Sequence, residues 1–74
     1  MSRPPDARTV VASSVLSSMR YSIDAILELE FRTGALYRYV AVPPAVVEGL
    51  IAAESKGAYF NHHIRNHFHY QRLA

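Results

Sequence analysis

The alternation Leu27-Glu28-Leu29-Glu30-Phe31-Arg32 constrains this chain more than any other stretch. Apolar residues at every second position lie on one side of an extended strand, with the charged groups on the other. A helix would scatter both sets around its axis. The strand is read from Ala25 to Arg32. Thr33-Gly34 follows, and glycine supplies the positive φ that a tight hairpin loop requires. Leu36–Val42 is then the returning strand. A three-residue loop Arg32-Thr33-Gly34 with a bulge at Gly34 sets Tyr37 opposite Leu29 and Tyr39 opposite Leu27. It also sets Arg38 opposite Glu28, an opposite-charge pair. A two-residue loop would bury Arg38 among the leucines, with a heavy desolvation penalty.

Upstream, Val10–Met19 is rich in valine and serine and reads as a further strand, joined to Ala25 by a turn at Tyr21-Ser22-Ile23-Asp24. Downstream, Pro43 cannot donate to a ladder and Pro44 suits the first turn of a helix. Val46, Val47, Leu50 and Ile51 recur at helical spacing, which predicts a helix over Pro44–Glu54. Ser55 can cap a second short helix over Lys56–Asn66, whose Phe60 and Ile64 fall four apart. Alternation returns over His67–Leu73 and allows a short C-terminal strand. The expected fold is α+β: a three-stranded antiparallel meander followed by two short helices. Leu27, Leu29, Phe31, Leu50, Ile51, Phe60 and Ile64 form its expected core. Residues 1–9 are read as a frayed tail and 10–74 as one domain.

Composition narrows the class. Seventy-four residues hold one domain, and half of them are hydrophobic, too many for a disordered tail. There is no cysteine, so neither disulfides nor thiolate-held zinc can staple the fold. No apolar run approaches the roughly 18 residues of a membrane span. The N-terminus, with Pro4, Pro5 and Asp6, does not read as a signal peptide. The expectation is a soluble, cytoplasmic protein. Net charge is only +2. Yet Lys56, Arg65, Arg72 and all four histidines lie after Ser55, where there is no acid. The C-terminal third is therefore a candidate electropositive surface.

Several pieces stand in a distinctive order: Ser13-Ser14, Phe31-Arg32-Thr33-Gly34, Tyr37-Arg38-Tyr39, Val42-Pro43, Ser55-Lys56-Gly57, Phe60-Asn61 and Ile64-Arg65. On these the chain resembles the KTSC domain from about Val10 to Leu73. That family takes its name from the C-terminus of some lysyl-tRNA synthetases, and it also occurs as stand-alone bacterial or phage proteins. The resemblance implies RNA binding only by association with a tRNA enzyme. The four histidines depart from the family pattern.

Ser55-Lys56-Gly57 at a helix start offers free N–H groups and an ammonium to a phosphate, or simply an ordinary capped corner. Tyr59, Asn61, His62, Arg65 and Asn66 add aromatic and hydrogen-bonding groups, and Asn61 and Arg65 share a face if the helix continues. Tyr37 and Tyr39 read as core residues with hydroxyls at the rim, a stacking platform being the alternative. His63 and His67 have the spacing of a helical metal pair, but no acid or cysteine follows Glu54 to complete a site, and no metal or cofactor is expected. Glu28 and Glu30 read as a solvated strand face. Neither a nucleophile elbow nor an activated serine is present, so no enzyme is expected. The functional expectation is a non-enzymatic module binding nucleic acid, foremost RNA, through Lys56, Tyr59, Asn61, His62, Arg65 and Arg72. The alternatives are an oligomer binding a small nucleotide-like ligand and a protein-interaction module.

Overall fold

The computed structural model describes residues 9–10 and 13–74. The expected tail thus lies outside the described residues, apart from Thr9. The elements run β1 (Thr9–Val10), β2 (Leu16–Tyr21), β3 (Leu27–Phe31), β4 (Leu36–Tyr39), α1 (Pro44–Ala52), α2 (Lys56–His63) and β5 (Tyr70–Arg72). The strands form one sheet in the order β1-β2-β3-β4-β5, with every pairing antiparallel. The antiparallel sheet followed by two helices is the α+β arrangement expected. Among the described residues no helix is long and apolar enough to cross a membrane.

The central hairpin follows its pattern. Tyr39 pairs with Leu27, Arg38 with Glu28 and Tyr37 with Leu29. Gly34 has φ +96°, and its N–H donates to Phe31 O at 2.9 Å. Leu27 and Leu29 are fully buried, and the helices cover this face.

The first strand needs correction. Val10–Met19 is not one strand, because Thr9 and Val10 turn back to pair with Met19 and Ser18. Ser13 Oγ accepts the N–H groups of Val15 and Leu16 at 3.1 and 3.2 Å, which holds the chain in a turn. The Arg32 Nε donates to Ser13 O, tying the β3–β4 hairpin to that turn. A bulge between Leu16 and Ser18 then lets Leu16 and Met19, three apart, both face the core.

Both helices end earlier than expected. In α1, Val47 and Leu50 are buried while Ile51 is 58% exposed, so Ile51 is not a core residue. Phe60 of α2 and Ile64, its C-cap, pack on the sheet as expected. The α2 helix stops at His63 because the chain enters a turn closed by His67 N–H to Ile64 O at 3.0 Å. Asn66 there has φ +67°, a left-handed conformation that Asn tolerates. His63 and His67 therefore share no helical face.

The helix-free face of the sheet is also drier than expected. Glu28 is 4% exposed. Its Oε2 accepts from Arg20 Nη2 at 2.6 Å and from Arg38 Nη2 at 3.1 Å. Burial alone would raise this carboxyl, but the hydrogen bonds and charges of Arg38 and Arg20 outweigh it and hold its pKa below the ordinary 4.5. Glu30 Oε1 accepts from Ser18 Oγ at 2.8 Å.

Candidate functional site

Strand pairing gathers the aromatic residues on one side of the molecule. The core face of β3 ends in Phe31, β4 contributes Tyr37 and Tyr39, and α2 lowers Phe60 onto them. Phe60 lies 5.2 Å from Phe31 and 5.8 Å from Tyr39, ring centre to ring centre, both edge-on. The pairing of β5 with β4 sets Tyr70 opposite Tyr39 and Arg72 opposite Tyr37. Tyr70 stands 5.7 Å from both tyrosine rings. Such offset and edge-to-face arrangements suit the aromatic quadrupole.

These rings do not close over completely. A cleft of about 290 Å³ remains, lined by Phe31, Tyr37, Tyr39, Phe60, Arg65, Asn66 and Tyr70. No lining residue is acidic. Arg72 holds its guanidinium 5.7 Å above the Tyr37 ring, adding a second cation beside the cleft. The side chains of Arg65 and Asn66 and the hydroxyls of Tyr37, Tyr39 and Tyr70 make no hydrogen bond among the described residues. Burial, reinforced by the neighbouring Tyr37 and Tyr70 phenols, pushes the Tyr39 hydroxyl from 10.0 up to about 12, against the opposing pull of Arg65. The cleft therefore offers flat apolar walls, neutral hydroxyls, a carboxamide and a guanidinium. Flat rings can stack a planar group, the polar tips can hydrogen-bond its edge, and the cations favour an anion beside it.

The six residues singled out in the sequence divide. Arg65 lines the cleft and Arg72 flanks it. Lys56 instead donates from Nζ to Ala53 O at 3.0 Å, closing the end of α1. Tyr59 reaches across Gly49 and donates its hydroxyl to Val46 O at 2.9 Å. A Cβ on Gly49 would lie 2.2 Å from that hydroxyl oxygen, so the glycine makes room for it. Asn61 and His62 are exposed on α2, about 100° apart around its axis. Because α2 ends at His63, Asn61 and Arg65 do not share a helical face.

The corner itself is occupied by packing. Ser55 Oγ accepts Ala58 N–H at 3.2 Å as the helix cap. A Cβ on Gly57 would sit 2.8 Å from a Val15 methyl, so this glycine lets α2 approach the sheet. Among the described residues no three His, Cys, Asp or Glu side chains gather as a metal site would need.

Tyr70 was not among the site residues expected from the sequence, and Asn66 was read only as one of the polar groups around α2. The signal for Tyr70 lay in the alternation Phe68-x-Tyr70-x-Arg72, which matches Tyr37-x-Tyr39 once the two strands pair. The signal for Asn66 was the residue type itself, since Asn often closes a helix in the left-handed region.

Known proteins place this arrangement in context. The KTSC domain family matches residues 12–68. A stand-alone uncharacterized protein of Stutzerimonas stutzeri is 47% identical over 68 residues, covering 89% of this chain and 96% of its own length. A lysine–tRNA ligase of Nostoc punctiforme is 44% identical over 48 residues. That match covers 65% of this chain but only 9% of the ligase. The crystal structure of a KTSC domain protein from Yersinia pestis superimposes with a TM-score of 0.87 at 30% identity, covering 92% of this chain and 97% of that one. With the family model spanning most of the chain and a solved member sharing its fold, the chain belongs to the KTSC domain family.

Proposed function

We propose that this protein is a non-enzymatic module that binds single-stranded RNA, with one base seated in the aromatic cleft and the adjoining phosphates held by Arg65 and Arg72. The observation that carries this reading is the cleft itself. Five aromatic rings border a space open to solvent, and its polar side chains make no hydrogen bond among the described residues. Recognition of unpaired RNA rests on stacking an exposed base against aromatic side chains while its edge is hydrogen-bonded. Tyr39 and Tyr70 supply the walls, Asn66 and the hydroxyls the edge contacts, and the two arginines the charge. A related segment within a lysine–tRNA ligase is in keeping with a role near RNA.

The test is binding of a fluorescently labelled single-stranded RNA across a salt series. Affinity is expected to fall as salt rises, with a log–log slope of about 0.7 per neutralised phosphate. Arg65→Ala with Arg72→Ala should flatten that slope by up to about 1.4 and leave the melting transition in place. RNA binding that is undetectable at low salt, or unchanged in the double variant, would overturn the reading. The size of the cleft also favours a second reading, a small nucleotide-like ligand bound by an oligomer. Its mark is saturable, stoichiometric uptake of a mononucleotide with mild salt dependence and no added affinity for longer RNA.

A further inference from the structure

A second, shallower cleft of about 310 Å³ is lined by Val40, Ala41, Asn66, His67, Phe68 and His69. Asn66 also lines the aromatic cleft, so one residue forms part of the wall of both. We propose that the two clefts are consecutive subsites for a dinucleotide step, with Asn66 between the two bases. This rests on the reading of the aromatic cleft as a nucleobase site and extends it to the neighbouring nucleotide of the same strand.

Three observations support the extension. The second cleft pairs apolar surface from Val40 and Phe68 with the imidazoles of His67 and His69, and no acid lines it. Imidazole can donate to a phosphate oxygen or a base and can accept from a base amine, while Phe68 provides an aromatic body. Its walls are also unusual in backbone conformation. Three non-glycine residues with positive φ occur among the described residues, and two of them, Ala41 at 56° and Asn66 at 67°, line this cleft. Disfavoured conformations of this kind gather at ligand sites, where the surrounding structure holds them. Finally, the two clefts are joined where the chain leaves α2. Val40 N–H donates to His69 O at 3.0 Å, which secures the 66–69 segment against the end of β4. A strand with one base among the tyrosines would thus meet a second, pre-shaped surface at its next nucleotide.

The experiment compares adenosine 5′-monophosphate with its 5′-phosphorylated dinucleotide on the full 74-residue chain, by calorimetry and by NMR shifts of the Tyr39 and Phe68 rings. The dinucleotide is expected to bind at least about ten-fold tighter, the gain that one further stacked base supplies. It should shift both rings, whereas the mononucleotide shifts Tyr39 alone. The double variant H67A/H69A, whose side chains are exposed, should bring the dinucleotide down to mononucleotide affinity. Equal affinity for the two ligands, with Tyr39 still shifted by both, would overturn the two-subsite proposal and leave the aromatic cleft as a single-base site. No shift of Tyr39 with either ligand would remove the underlying reading, and this proposal with it.

Discussion

The five tyrosines of this chain fall into two groups that use the same side chain differently. Tyr21 and Tyr59 commit their hydroxyls to backbone oxygens, Tyr21 to Val42 O at 2.6 Å and Tyr59 to Val46 O at 2.9 Å. Each pins the loop or helix after β4 to a neighbouring element. Tyr37, Tyr39 and Tyr70 pack ring against ring, yet their hydroxyls make no hydrogen bond among the described residues. These hydroxyls are not sealed from water: among the described residues Ser22 Oγ is the one buried side-chain polar atom without a partner, and Tyr70 is largely exposed. The contrast separates scaffold from site: at one end polar atoms close the fold, and at the other they remain available at the rim of a cleft.

The hardest test of that division is Phe60, which serves scaffold and cleft alike. It is buried under α2 and also lines the cleft. Phe60→Ala should lower stability by about 3–5 kcal/mol, as expected for an aromatic removed from a core. That is a large fraction of what a domain of this size possesses. A melting temperature within a few degrees of the unaltered protein would assign Phe60 to the ligand surface alone.

Titration sharpens the comparison from both sides of neutrality. Tyr39 is held neutral up to about 12. Its pKa is raised on folding, so its contribution is intact below 10.0 and lost as pH climbs through 12. This amounts to roughly 2–3 kcal/mol. Glu28 has the opposite sign. Its pKa is depressed, so its stabilisation is present above 4.5 and lost as pH falls through the lower folded value. Ultraviolet titration should show one late tyrosine that disappears in Tyr39→Phe. Acid melting of Glu28→Gln should lose the steep decline below pH 4.5. A Tyr39 that ionises near its ordinary 10.0 would mean the cleft is wetter than its ring packing implies.

The smallest effects are the most diagnostic. Tyr21→Phe and Tyr59→Phe should each cost about 1 kcal/mol, because each removes a hydrogen bond between elements. The same change at Tyr37 or Tyr70 should stay within about 0.5 kcal/mol. RNA affinity should show the reverse order, with Tyr37→Phe and Tyr70→Phe weakening binding and Tyr21→Phe leaving it alone. Equal stability losses in the two groups would erase the distinction.

Much of the scaffold was legible because local and long-range signals agreed. Gly34, the Leu/Glu alternation and the Glu28–Arg38 charge pair all demanded one register. Pro43-Pro44 marked the start of α1 with similar clarity, although β4 stops at Tyr39 rather than Val42, and Ala41 takes a positive φ in between. The first strand was not legible, because serine suits both an extended run and a turn. Nothing in Val10–Met19 showed that the Ser13 hydroxyl would cap a reversal. Ile51 misled for a different reason: the apolar arc of α1 is wider than the strip of sheet it covers. The candidate site depended on a helix running through Asn66. Once Asn66 adopts a left-handed conformation, Arg65 swings to the tyrosines while Lys56 and Tyr59 remain committed to α1. Only the pairing of β5 with β4, a contact between segments some thirty residues apart, brings Tyr70 and Arg72 to the same place.

That long-range pairing also governs the order in which the molecule can come into being on a ribosome. Residues 31–39 supply most of the rings, but both helices must be synthesised before residues 70–72 can lay the last wall beside them. Until then Tyr37 and Tyr39 lie on a strand whose outer edge has no partner. Contacts of such sequence separation form late. Within this domain the aromatic cleft is therefore completed only once residues 70–72 have been made. A truncated product could keep its central hairpin and helices and still carry no cleft.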